Sequence, residues 1–243
     1  MRAVLGVIPA RFSSKRFPGK ALALIHDKPL IEHVYKRAQN MDCLDRVLIA
    51  TDDERIYQKS QSFGADVLMT SPEHRTGTER VAEVAEGLDF AVVISIQGDE
   101  PLIKADMIES LVQILQDKSV HMATLREKSN DLESLNDPNV VKLVIDGKDN
   151  ALYFSRSPIP FSPPSFFWKH IGVYGFQNDF LTKYKNLPVS PLEKAEKLEQ
   201  LRVLENGYKI KTVETTHSTL SVNQPEDIAK VEKSIHSLRE KHE

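Results

Sequence analysis

Ala3-Val4-Leu5-Gly6-Val7-Ile8-Pro9-Ala10-Arg11-Phe12-Ser13-Ser14-Lys15-Arg16-Phe17-Pro18-Gly19-Lys20 opens the chain with an apolar run that breaks into prolines, serines and four cations. The run from Ala3 to Ile8 reads as a buried strand. Folding alone gives no reason to gather so much positive charge at a strand's carboxyl end, whereas a polyanionic ligand does. In open α/β sheets ligands lie beyond the carboxyl ends of the strands, so Arg11, Ser14 and Lys20 would face a triphosphate there. The alternative is a solvated basic loop, the usual fate of a charge run. The loop contains neither G-x-G-x-x-G nor G-x-x-x-x-G-K-[ST], which lowers the rank of dinucleotide dehydrogenases and P-loop ATPases.

Outward from this strand the pattern alternates, as in parallel βαβ units. The spacing of Leu30, Ile31, Val34, Tyr35 and Ala38 predicts a helix over about 29–40. Val47 to Ala50 predicts a second strand, and Thr51-Asp52-Asp53-Glu54 supplies capping oxygens for a helix running to Phe63. Asp66 to Met69, Gly77 to Leu88 and Ala91 to Ile96 predict strand, helix and strand, the last ending at Gln97-Gly98-Asp99-Glu100-Pro101. After a helix over 106–116 the rhythm changes to strands at 121–125, 140–145, 151–154 and 169–176 without long helices between them. Pro191 to Asn206 reads as one helix with Gly207 past its end, and a last helix covers about 225–242. The expectation is a single α/β domain over 1–243, with a mixed-sheet lobe at about 121–190.

Composition narrows the function classes. A chain of 243 residues with 40% apolar content can fill a sizeable core. A net charge of −3 argues against nucleic acid or anionic membrane as the main partner. The one cysteine, Cys43, cannot form an internal disulfide and has no partners at metal-ligand spacing. The apolar stretch before Pro9 is too short for a membrane span, so the expected location is the cytoplasm.

Four constellations carry possible chemistry. Asp99 follows a Val/Ile-rich strand and lies at the sheet edge of the basic loop, which suits a magnesium ion shared with phosphates; a turn or capping aspartate is the plainer reading. Gly98 permits close backbone approach there, and Gln97 can hydrogen-bond a ligand. The polar stretch from Met69 to Arg80 enters a helix and can hold a base or ribose, or simply cap that helix. Arg156 emerges from an apolar strand, and strand alternation places His170, Gly172 and Tyr174 on one face, a set suited to a carboxylate-bearing sugar. Glu199 and Gln200 flank the apolar stripe of the late helix, where surface pairing of Glu199 with Arg202 is the plainer account.

In this order these stretches resemble the CMP-Kdo synthetases, the 3-deoxy-manno-octulosonate cytidylyltransferases of Gram-negative bacteria, over nearly the whole chain. The specific matches are Ile8-Pro9-Ala10-Arg11 with Arg16-Phe17-Pro18-Gly19-Lys20, Ala50-Thr51-Asp52-Asp53-Glu54, Gln97-Gly98-Asp99-Glu100-Pro101, Ala151 to Pro160, His170-Ile171-Gly172-Val173-Tyr174-Gly175 and Leu198-Glu199-Gln200-Leu201-Arg202. The resemblance implies a nucleotide-diphospho-sugar transferase fold, an α/β/α sandwich with a mixed sheet and a smaller lobe for dimerisation and sugar binding, assembled as a homodimer. It implies attack of the anomeric hydroxyl of Kdo on the α-phosphorus of CTP, with release of pyrophosphate, for lipopolysaccharide biosynthesis. Arg11, Lys20 and Asp99 would be the catalytic groups. Ala10, Arg11, Ser14, Lys20, Ser71, Gly77 and Arg80 would hold CTP, and Gln97, Arg156, His170, Tyr174, Glu199 and Gln200 the sugar acid. Mg²⁺ would sit on Asp99.

One position departs from the family pattern. In Ser221-Val222-Asn223-Gln224-Pro225-Glu226-Asp227, Asn223 stands where the family usually has a metal-binding aspartate. An amide oxygen can coordinate but brings no negative charge, so weaker metal binding is expected. Rival readings are the same chemistry on 8-amino-Kdo or another sugar acid, and a non-catalytic nucleotide or sugar-acid binding protein.

Overall fold

The computed structural model describes residues 2–13, 16–162 and 165–239. Its chain divides into two compact units. The first comprises Val4–Leu88, Ser95–Ala105 and Thr219–Glu243, the second Met1–Ala3, Asp89–Ile94 and Asp106–Ser218. The lobe expected at about 121–190 falls inside the second.

In the first unit the strands β1 (Val4–Ala10), β4 (Arg46–Thr51) and β5 (Val67–Met69) lie side by side and parallel in the order β1-β4-β5. A two-residue-per-strand hairpin, β2 (Leu24–Ile25) and β3 (Lys28–Pro29), and helix α1 (Leu30–Gln39) connect β1 to β4, helix α2 (Glu54–Ser62) connects β4 to β5, and helix α3 (Gly77–Glu86) follows β5. β1 is buried almost throughout, as expected for a strand covered on both faces. Helix α1 buries Leu30, Ile31, Val34, Tyr35 and Ala38, the residues whose spacing predicts it. Asp53 caps α2 by accepting from the Arg55 amide, and Thr76 caps α3 through the Glu79 amide. The terminal helix Asp227–Arg239 belongs to the same unit.

The second unit holds β6 (Val92–Ser95, but for its last residue), α4 (Ala105–Ile114, but for its first residue), β7 (Met122–Ser129), α5 (Leu132–Asn136), β8 (Lys142–Ile145), β9 (Ala151–Ser155), β10 (Phe167–Gln177), α6 (Asn178–Lys185), α7 (Pro191–Glu196), α8 (Leu201–Glu205) and β11 (Ile210–Thr215). Its strands run in the order β11-β7-β10-β6, with β8 on β10 and β9 on β8. β10 is antiparallel to β7 and β11 parallel to it, so the sheet here is mixed, as expected.

Three expectations need correction. The single helix over 191–206 is two short ones, because Lys197 adopts the left-handed conformation at φ 57° and ends α7. The break lets Leu198 and Gln200 turn inward, and both are buried. Simple alternation along 170–174 is also interrupted. His170 and Ile171 pair with Arg126 and Leu125, and Tyr174 pairs with Thr124, so Gly172 and Val173 form a bulge. Two extra residues are an even number, and His170 and Tyr174 therefore keep a common face. Finally, β11 and the helices α5 and α6 were not among the predicted elements.

Candidate active site

In the first unit the chain leaves β1 and closes its basic loop on itself. Gly19 sits at φ 72°, a conformation that suits glycine, and its amide donates to Phe12 O at 2.9 Å. The Arg55 guanidinium lies 3.3 Å above the Phe12 ring and is held by Asp53, which fixes the loop's root. A short 3₁₀ turn, Lys20–Leu22, follows. From it Lys20 Nζ reaches Asp99 Oδ2 at 2.5 Å, joining positions 79 residues apart in a half-buried ion pair. Arg11 is exposed and makes no ion pair or hydrogen bond with the described residues, so its charge is available to a ligand. Ser14 lies outside the described residues.

Asp99 is placed by the segment Gln97 to Pro101, which runs along the end of β1. The Ile96 amide donates to Val7 O at 2.9 Å, and a Cβ on Gly98 would come 3.0 Å from Pro9 O, a tight contact that the missing side chain relieves. Glu100 is buried, and its Oε1 accepts from the Ser221 hydroxyl while Oε2 has no partner among the described residues. Burial, with the neighbouring Asp99 charge, pushes the Glu100 carboxyl up to about 7. The Val222 amide donates to Asp99 O at 2.9 Å, so Ser221 to Asn223 is pinned beside Asp99. Asn223 Oδ1 accepts from Arg16 Nη2 at 3.0 Å. Asp227 is no substitute metal ligand, since its carboxylate accepts from the amides of Asn223 and Gln224 and from Lys230 at the start of the terminal helix.

These donors fit a hard cation shared with phosphates. Asp99 and Asn223 offer oxygen atoms alone. No group of three or more His, Cys, Asp or Glu side chains suited to a metal is gathered among the described residues. A cation held here would complete its shell with phosphate and water, the habit of Mg²⁺.

The Met69 to Arg80 stretch is tied together from within. Arg80 is buried and bonds Asp52 Oδ2 at 2.7 Å and the Thr70 hydroxyl, so its guanidinium shapes the loop from inside. The Ser71 amide donates to the Glu83 carboxylate at 3.0 Å, and His74 contacts the same carboxylate. Gly77 starts α3 against Pro9, and a Cβ there would lie 3.9 Å from Gln97 Nε2. The loop's helix start, the end of β1 and Gln97 thus meet at one edge of this unit.

The remaining predicted residues lie in the second unit. His170 packs edge-on against Phe154 at 4.9 Å and beside Tyr174 at 5.4 Å, ring centre to ring centre. The residue keeps some exposure, but these surroundings push its imidazole down to about 3, so it is neutral at neutral pH. Its Nε2 lies 2.9 Å from Thr124 Oγ1, which also lies 2.8 Å from Val173 O. The single hydroxyl proton goes to the carbonyl, so Nε2 carries a proton and donates, leaving Nδ1 as an acceptor. Burial, then the Glu199 charge, raises Tyr174 well above the usual phenol range and keeps its proton available. Gln200 is buried at the start of α8, and its Nε2 has no partner among the described residues. Arg202 forms a buried two-bond pair with Glu193 at 2.8 and 2.7 Å.

Arg156 is held on several sides. Its amide donates to Glu196 Oε2, its Nε to Glu196 O and its Nη1 to Pro138 O, each at 2.8 Å. Buried Lys142 donates to Arg156 O at 2.5 Å. Neither Glu196 nor Lys142 is among the residues predicted from sequence. A lysine inside the apolar run Val140-Val141-Lys142-Leu143-Val144 was the available signal.

Comparison with known proteins identifies the family. Residues 5–210 match the model of the cytidylyltransferase family. A Solibacter usitatus (strain Ellin6076) protein named 3-deoxy-manno-octulosonate cytidylyltransferase is 51% identical over 235 residues, 95% of this chain and 93% of that one. A protein of the same name from Fusobacterium nucleatum subsp. nucleatum is 49% identical over 93% of this chain and 94% of its own. A solved structure described as CMP:2-keto-3-deoxy-manno-octonic acid synthetase complexed with CTP is 39% identical, with a TM-score of 0.91 over 97% of this chain and 99% of that one. HddC from Yersinia pseudotuberculosis, at 14% identity and TM-score 0.72 over 97% of this chain and all of its own, shares the fold. By a family-model match over residues 5–210 and by relatives about half identical over most of its length, the chain belongs to the cytidylyltransferase family.

Proposed function

We propose that the protein joins CMP from CTP to the anomeric hydroxyl of 3-deoxy-manno-octulosonate (Kdo), releasing pyrophosphate, and so activates the sugar for lipopolysaccharide biosynthesis. The observation that carries the reading is the Lys20–Asp99 ion pair at the mouth of the basic loop. It brings a cation of the basic loop against a strand-end carboxylate, the pairing that a triphosphate and a shared Mg²⁺ would engage. In the reaction the sugar hydroxyl oxygen bonds the α-phosphorus as the bond from that phosphorus to the α–β bridging oxygen breaks; the hydroxyl proton passes to solvent, and the bridging oxygen leaves with pyrophosphate. Arg11 and Lys20 offset negative charge building on the leaving phosphates. In this reading Ala10, Ser71 and Gly77 would line the CTP side, Ser14 would join them as the family resemblance implies, and Arg80 shapes the base loop from inside. Asp99, with the neutral oxygen of Asn223, would hold Mg²⁺, whose chemistry when bound is to neutralise phosphate oxygens.

Arg156 would pair with the sugar carboxylate. His170 Nδ1 would accept from a sugar hydroxyl, Tyr174 and Gln200 would donate, and Glu199 would accept; Gln97 would contribute a further amide. The unpartnered Gln200 amide supports a ligand there. The test is pyrophosphate release from CTP with Kdo, 8-amino-Kdo or a sialic acid under one set of conditions. Kdo should give the highest kcat/KM, and preference for another acceptor would reassign the substrate.

The homodimer belongs to the same reading. Leu152, Phe161 and Leu192 of the second unit are exposed apolar side chains of the kind a subunit contact covers, and sedimentation at micromolar concentration should give twice the monomer mass. The proposed location is the cytoplasm. No helix among the described residues is long and apolar enough to cross a membrane.

A further inference from the structure

Lys142 has no solvent exposure, lies in the core strand β8, and donates to three backbone carbonyls: Asp137 O at 3.0 Å, Val140 O at 2.9 Å and Arg156 O at 2.5 Å. An ammonium has three protons, and all three are accounted for. Burial lowers its pKa, and the nearby Asp137 and Glu196 charges oppose that shift. An apolar side chain at this strand position would fill the core as well but would leave three carbonyls without this donor.

Those carbonyls share one neighbour, Arg156. One belongs to Arg156 itself, and the other two bracket the turn that carries Pro138, whose own carbonyl accepts from Arg156 Nη1. On the opposite side Glu196 takes the Arg156 amide on its carboxylate, takes Nε on its backbone oxygen, and also accepts from Ser155 Oγ at 2.8 Å. Of the five guanidinium protons, two are committed to Glu196 O and Pro138 O. The three that remain are both protons of Nη2 and one of Nη1, which together form the end-on fork that matches a carboxylate.

We propose that Lys142 and Glu196 are positioning residues that fix the backbone and inner edge of Arg156, presetting the outer edge of its guanidinium for the carboxylate of the acceptor sugar. The inference rests on the reading of Arg156 as the acceptor's carboxylate contact. Neither residue touches substrate. Their effect is to remove the ordering of a long, flexible side chain from the binding step, so that recognition begins from a fixed fork.

The test compares Lys142→Met, Arg156→Ala and the double variant in the full-length protein, reading kcat, KM for Kdo and KM for CTP, with folding checked by circular dichroism. Lys142→Met should raise the Kdo KM about tenfold while the CTP KM stays within about twofold. The double variant should show the Kdo KM of Arg156→Ala alone, because the two residues act through one group. An unchanged Kdo KM in folded Lys142→Met, or additive effects in the double variant, would overturn the positioning role. If Arg156→Ala itself leaves the Kdo KM unaltered, the carboxylate assignment fails and the positioning role falls with it. Should Lys142→Met not fold, Glu196→Gln carries the same readouts and the same criteria.

Discussion

The two units hold their polar groups in opposite ways. In the unit with the basic loop, the charges around that loop meet in half-exposed pairs or face solvent, Lys20 with Asp99, Arg16 with the Asn223 amide and Arg11 toward solvent, while Arg80 is buried on Asp52 and shapes its own loop. In the other unit the candidate contacts are neutral or already saturated on their inner side. His170 is uncharged between Phe154 and Tyr174, and Arg156 is tied down along one edge. A triphosphate and its metal bring enough charge to rearrange a Lys–Asp pair. A sugar acid brings one carboxylate and neutral hydroxyls, and gains more from a site whose geometry is set beforehand.

The largest effect should come from the charged unit. Lys20→Ala removes the cation proposed to meet the phosphates and breaks the ion pair with Asp99, so kcat should fall by about 10²–10³-fold. Steady-state pyrophosphate release measures this, and unchanged turnover would take the loop out of the mechanism. Arg156→Ala should act on the other side of the comparison, raising the Kdo KM by about tenfold or more with little change in the CTP KM. An effect confined to CTP would refute the division of labour between the units.

A smaller effect separates the units by pH. Glu100, raised from 4.5 to about 7 when folded, favours the folded state fully below pH 4.5, and that contribution is lost as pH rises to 7. His170, lowered from 6.5 to about 3, acts the other way and withdraws stability as pH falls below 6.5. Between pH 4.5 and 6.5 the two oppose, each with a slope of at most about 1.4 kcal/mol per pH unit. Thermal melts of ligand-free protein should therefore show Glu100→Gln gaining stability with rising pH relative to the unsubstituted chain, and His170→Gln losing it. Slopes shifted in the same direction by both variants would contradict the assignment of one buried acid and one buried base.

Much of this architecture is legible in the sequence, for identifiable reasons. Buried parallel strands such as Val4–Ala10 and Arg46–Thr51 read as continuous apolar runs, and α1 and α2 carry helical spacing or a capping aspartate. The left-handed Lys197 is invisible in a pattern that continues helical periodicity through Leu198, Leu201 and Leu204. Strand Ile210–Thr215 is rich in β-branched residues, Ile210, Thr212, Val213 and Thr215, an enrichment that would have revealed it. Within the site, motifs point to Lys20 and Asp99 separately, but their contact depends on the Gly98 approach to Pro9. Lys142 and Glu196 are harder to find. They act on backbone amides and carbonyls, which no side-chain motif records.

The smallest expected change concerns Asn223. Restoring a carboxylate by Asn223→Asp should lower the Mg²⁺ concentration for half-maximal rate by several-fold, about 3–10, and should convert the Arg16 contact into an ion pair. The most direct measurement is pyrophosphate release from CTP and Kdo across a Mg²⁺ titration, with the unsubstituted protein and Asn223→Asp side by side. The account predicts release by the unsubstituted protein that requires both substrates, with the variant's curve displaced to lower Mg²⁺. CTP binding without pyrophosphate release by the unsubstituted protein at every Mg²⁺ concentration would contradict it.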